Sequence, residues 1–359
     1  MNSTATKAAL FFMGLFGAGA ATATPTADAP AQSAPADTPL TTFPYTPSLD
    51  VPSMDRSADP CSDLYQYSCG GWMSRNPIPG DQARWSVYGK LYQDNQRFLW
   101  GILDALAHQS AGRSANQQKI GDYFASCMDE SAVDGRGAQG LDPALQSIAS
   151  LRDKRELPSL LSRLQVQTGD AGFFFNFGSN QDYADATAVI AYADAGGIGL
   201  PERDYYSDED AHAKQLREQY TAHVARVFGL LGDSGEVAQR NAQTVLAIET
   251  QLARASLKLV DRRDPYKLFH KLDRRALQGL TPHFEWNAFL QPLGLSSVAA
   301  VNVAEPKFYQ ALDRVLATTS LADLKTYLRW HAAHSAAPFL AKPFEDENFA
   351  FYEHTLRGV

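Results

Sequence analysis

The residues best suited to chemistry in this chain are its eight histidines and three cysteines. A zinc hydrolase of the zincin type needs His-Glu-x-x-His: imidazoles at i and i+4 project from one helical face, and the glutamate acts on the metal-bound water. His108, His212, His223, His270, His283, His331, His334 and His354 are each followed by a residue other than glutamate, so the motif is absent. The nearest pair, His331 and His334 in RWHAAH, could share one face, but two ligands fall short of a zinc site. His331 also continues the stripe of Leu321, Leu324 and Leu328, which reads as a core or boundary position.

Gly232-Asp233-Ser234-Gly235 looks like the nucleophile loop of trypsin-like serine proteases. Those enzymes are all-β, whereas this string joins two helical patterns, so Gly232 reads as a helix end and Asp233 with Glu236 as a capping box. No Gly-rich phosphate loop is present. Glu345-Asp346-Glu347 reads as solvated surface.

The cysteines say more. In DPCSDLYQYSCGGW, Asp59 is a candidate N-cap, Pro60 a first-turn proline, and Gly70-Gly71 a helix end. Helical rise then separates Cys61 and Cys69 by about 12 Å, too far for a disulfide. Cys127 is the only other cysteine. In an oxidising compartment at least one partner must lie elsewhere; the alternative is buried free thiols.

The elements that must position these residues are mostly helical. Trp85, Tyr88, Leu91, Tyr92, Asn95, Phe98, Leu99, Ile102, Leu103 and Leu106 mark one face of a long helix, and Ile120, Tyr123, Phe124, Cys127 and Met128 mark a second. Further helices are predicted at 143–151, 156–167, 208–231, 234–258, 305–317 and 320–341, with Asp142 and Ser207 as caps. FFFNF at 173–177 and TAVIAYA at 187–193 predict one small antiparallel hairpin. The fold class is mainly α.

Residues 1–23 read as a signal peptide: Lys7, an apolar run, then Ala21-Thr22-Ala23. The alternative is an N-terminal membrane anchor. Seven prolines between 25 and 52 mark residues 24–55 as a flexible tether. The folded domain spans 56–359. Hydrophobic residues make up 45% and charged residues 20%, ordinary for a globular protein. With 32 Lys plus Arg against 40 Asp plus Glu, the net charge of −8 offers no basic footprint for nucleic acid. No later segment is long and apolar enough for a stable membrane span.

DPCSDLYQYSCGGWMSRNPIP at 59–79 resembles the opening of the neprilysin family of zinc metalloendopeptidases. Arg84-Trp85-Ser86, YFASCM at 123–128, GLPERDYY at 199–206, Arg263-Asp264-Pro265-Tyr266, YLRWH at 327–331 and Glu347-Asn348-Phe349 follow in the family's order. The resemblance implies a multi-helical cap lobe that restricts access to a separate thermolysin-like lobe. It places zinc, HExxH and the substrate-binding motif of the full enzyme in that second lobe, which is missing from this chain. Cys61, Cys69 and Cys127 are then expected to pair with that missing half. Arg84 matches a family arginine that holds the C-terminal side of a peptide substrate, while a second family arginine falls at Tyr92. These matches imply the substrate-gating part of an exported peptidase, inactive alone and binding no zinc. Its partners would be peptides and a catalytic lobe on the same or a separate chain. The alternative is a stand-alone, non-catalytic exported protein that binds peptides or another protein.

Overall fold

The computed structural model describes residues 38–44, 50–80, 82–169 and 172–359. The expected signal peptide and most of the expected tether lie outside them. The chain divides into two compact units, one ending at Asp129 and including Val359, the other running from Glu130 to Gly358.

The first unit holds α1 (Leu64–Arg75), α2 (Val87–His108) and α3 (Ala115–Met128). Ser86 caps α2 by accepting from Gly89 N, and Ser114 and Gln117 form a reciprocal capping box on α3. The helices meet closely because position 121 is glycine: a Cβ there would lie 2.6 Å from Leu106 O. The predicted apolar stripe of α2 forms as a face, yet Tyr88, Leu91, Tyr92, Leu99 and Ile102 are all exposed.

Helix α1 departs from the expectation. Asp59 closes a turn by accepting from Cys61 N, and the helix begins four residues later than read, capped by Asp63 on Gln66 N. Gly70 and Gly71 lie inside it. A Cβ on Gly71 would sit 2.5 Å from Pro52 O, and one on Gly70 would sit 2.8 Å from Asp55 Cβ. Glycine here admits the 3₁₀ turn Val51–Ser53 rather than ending the helix. Cys61 is outside the helix, so the helical-rise estimate of its distance from Cys69 does not apply. Part of the expected tether is also docked: Leu40 N donates to Arg97 O at 3.0 Å, and Phe43 packs edge-on to Phe98.

The second unit contains α4 (Glu130–Arg136), α5 (Asp142–Ser150), α6 (Leu157–Thr168), β1 (Phe175–Asp182), β2 (Asp185–Ala195), α7 (Asp204–Ser207), α8 (Ala211–Leu230) and α9 (Gly235–Ala255). There follow β3 (Lys271–Asp273), α10 (Arg274–Leu280), α11 (Trp286–Leu290), β4 (Ala300–Val303), α12 (Pro306–Thr318), α13 (Leu321–Ala336) and α14 (Lys342–Phe349). The predicted hairpin is present, but it belongs to a four-stranded sheet ordered β1-β2-β4-β3. β4 runs parallel to β2, with Ala191 opposite Val301, and antiparallel to β3. These added strands are three and four residues long, too short for periodicity to mark. Buried Asn302 stitches them in place, accepting from His270 N and donating to Leu268 O.

Phe173 and Phe174 precede the strand instead of opening it. Phe174 has φ 61°, stacks on Tyr327, and donates its N–H to the Tyr327 hydroxyl. Phe175 packs among Phe284, Trp286, Phe289 and Tyr309. Each fully buried ring of this kind contributes roughly 1.5–3 kcal/mol. Helix α8 is capped by Asp210, which accepts from His212 N and Ala213 N, in place of the expected Ser207. It ends as expected at Gly232, with φ 94°; Gly232 N bonds Gly229 O and Asp233 N bonds Phe228 O.

Candidate functional site

Arg84 lies in irregular chain just ahead of α2, exposed, with no hydrogen bond or ion pair among the described residues. A planar guanidinium fork suits a carboxylate. Cys61 and Cys127 are exposed, Cys69 is half-buried, and all three are free.

The Gly-Asp-Ser-Gly string is structural. Ser234 is the N-cap residue of α9, but its side chain makes no capping bond. Asp233 does not form the expected capping box. It accepts from Asn241 at 2.7 Å and from Arg329 at 3.0 and 3.3 Å, tying α13 to the α8–α9 turn.

A buried polar hub stands at the centre of the second unit. Helix α9 buries a stripe through Ala238, Ala242, Val245, Glu249 and Leu252, so Glu249 occupies a core position with no exposed surface. Its carboxylate accepts from the Tyr206 hydroxyl at 2.7 Å, the Tyr220 hydroxyl at 2.8 and 3.0 Å, and Trp330 Nε1 at 3.2 Å. His331 Nε2 lies 3.0 Å from Oε1, within ion-pair reach but off the hydrogen-bond direction. The Tyr206 hydroxyl also accepts from Leu200 N. One carboxylate thereby holds α7, α8, α9 and α13 together. Burial, with the Glu249 charge beside them, raises the pKa of Tyr206 and Tyr220 well above the usual phenol range, so both remain donors. Being sealed, the hub cannot touch a substrate.

A second cluster borders the hub. His223 Nδ1 is 2.8 Å from Glu347 Oε1, and Arg226 Nε donates to Glu347 Oε2 at 2.7 Å. The reading of residues 345–347 as solvated surface thus fails at Glu347, whose helix face turns toward α8. Burial pushes the His223 pKa down, against the raising effect of Glu347. His334 stacks on Trp330 and packs against Tyr352 with Nδ1 unpartnered; burial, then His331 and His223 nearby, push its pKa down to about 3. His331 and His334 therefore serve separate environments.

A family model described as peptidase family M13 matches residues 60–359. The chain belongs to peptidase family M13. It is 28% identical to human endothelin-converting enzyme 1 over 310 residues, 84% of this chain and 40% of that protein. It is 29% identical to the endothelin-converting enzyme homolog of Locusta migratoria over 316 residues, 82% of this chain and 42% of that one. Among solved structures, the Mycobacterium tuberculosis zinc metalloprotease Zmp1 in complex with an inhibitor matches with TM-score 0.77 and 28% identity, covering 86% of this chain and 47% of that one. The chain spans less than half the length of these relatives.

The M13 strings explain part of the hub. GLPERDYY supplies Leu200 and Tyr206, YLRWH supplies Trp330 and His331, and Glu347 opens the last string. Glu249 and Tyr220 lie outside every string and were not singled out. A glutamate within an apolar stripe spaced by threes and fours was the available signal. Among the described residues no group of three or more His, Cys, Asp or Glu is placed to hold a metal. No helix among the described residues is long and apolar enough to cross a membrane.

Proposed function

We propose that this chain is the substrate-gating N-terminal part of an exported zinc metalloendopeptidase that hydrolyses peptides, and that it cleaves nothing alone. The observation that carries the reading is the M13 match across residues 60–359. The zinc-bearing half would come from the same or a separate polypeptide. Two features support this. Tyr88, Tyr92, Leu99 and Ile102 on α2 and Tyr123 on α3 leave apolar surface open. Cys61 and Cys127 are exposed, which favours distant disulfide partners over buried structural thiols. Arg84 would bind the carboxylate end of a peptide, and Tyr92 in place of a second cation argues against a strict dipeptide-releasing preference. When bound in the other half, zinc would supply the activated water; this chain would orient the peptide and exclude folded proteins.

The purified 359-residue chain should carry no stoichiometric zinc and show no chelator-sensitive cleavage of a quenched fluorescent peptide. Stoichiometric zinc with chelator-sensitive cleavage would overturn the proposal. Reading the codons after Val359 in all three forward frames tests for the other half: HExxH with a downstream glutamate supports one polypeptide. Their absence leaves a separate catalytic chain, detectable by co-purification, or the stand-alone binding protein.

A further inference from the structure

We propose that the turn of α2 at residues 97–101 is a docking site for an extended peptide segment, whose resident ligand is the chain's own residues 38–43. That segment, TPLTTF, is half threonine, a composition that does not order itself. Its order comes from complementary contacts on one helical turn. The Leu40 N–H donates to the carbonyl of Arg97 at 3.0 Å. Arg97 Nε donates to Thr38 O at 2.9 Å, and Arg97 Nη2 to Thr38 Oγ1 at 3.4 Å. Phe43 sits edge-on to Phe98 with ring centroids 5.9 Å apart.

Gly101 makes the site possible. Glycine inside a helix is inferior to alanine on propensity alone. Here a Cβ would lie within 2.4 Å of Leu40 O and 3.6 Å of Pro39 Cβ, so the missing side chain is the space the segment occupies. The site offers a carbonyl, a guanidinium, a gap and a ring edge. It therefore reads main-chain polarity, with an aromatic side chain three residues after the half-buried leucine. Docking makes residues 38–43 a fixed strap on α2.

Amide exchange followed by mass spectrometry on the full chain tests this. Residues 38–43 should be protected, and Gly101→Ala should speed their exchange about tenfold or more while α2 stays protected. Leu40→Pro removes the donor without touching α2. A synthetic peptide of residues 38–44 should then bind the Leu40→Pro chain at millimolar concentration and fail on the Leu40→Pro, Gly101→Ala double variant. An unprotected segment in the parent chain, exchange indifferent to Gly101→Ala, or a peptide that binds both variants or neither, would each overturn the docking site.

Discussion

Glu249→Ala is the single change expected to damage the second unit most. The carboxylate accepts from Tyr206, Tyr220 and Trp330, and none of its surface reaches solvent. Alanine leaves the two buried tyrosine hydroxyls facing a void, while Trp330 Nε1 keeps the Tyr220 hydroxyl at 3.1 Å. An unsatisfied buried donor costs about 1–3 kcal/mol, so the loss is about 2–6 kcal/mol. A domain has only about 5–15 kcal/mol in total. At about 2–4 °C per kcal/mol for a unit of this size, even the low figure drops the melting temperature by about 4 °C. Glu249→Gln separates charge from shape. Its amide oxygen can keep both tyrosines at the Oε2 position, but its NH₂ then faces Trp330 Nε1, donor against donor. That single mismatch costs about 1–3 kcal/mol. The assay is urea unfolding of the 359-residue chain by tryptophan fluorescence and far-ultraviolet circular dichroism. If alanine costs less than about 1 kcal/mol, or glutamine costs as much as alanine, the account of the hub is wrong.

Three further outcomes are expected. Gly71→Ala should destabilise the first unit by roughly 1–3 kcal/mol through its clash with Pro52 O, opposite in sign to the gain of about 1 kcal/mol from helix propensity; a raised melting temperature would refute the close-approach reading. Asp233→Ala should cost about 1–3 kcal/mol by stripping Arg329 and Asn241 of a partner, whereas Ser234→Ala should stay within about 0.5 kcal/mol; the reverse order in chemical denaturation would contradict a structural role for this string. His334 is held below its usual 6.5, so its contribution is complete above that pH and is lost as the pH falls toward about 3. Urea midpoints should therefore fall between pH 7 and pH 4, and His334→Phe should flatten that fall; an unchanged slope would exclude His334 as the source.

Much of the local structure was legible in residue order, because stripes and turns depend on neighbours a few positions away; the caps expected at Asp59, Asp142, Ser207 and Asp233 are not the ones formed. Helices α2, α3, α5, α6, α8, α9, α12 and α13, the Gly232 stop and the hairpin over residues 175–195 follow from such signals, whereas the short α4, α7, α10, α11 and α14 do not. So does the M13 membership, which rests on strings such as GLPERDYY kept in order along the chain. Long-range approach was not legible. Gly232 and the Gly70-Gly71 pair look alike in the sequence, yet one takes φ 94° to stop a helix and the others stay helical to admit a turn from residues 51–53. Glu347 and Glu345 belong to the same acidic run, and only the packing of α14 on α8 sends Glu347 to His223 and Arg226. Glu249 acquires its meaning from Tyr206, Tyr220 and Trp330, between 29 and 81 positions away. A charge on a core stripe is a defect until donors from other elements converge on it, and that convergence exists only in the folded chain.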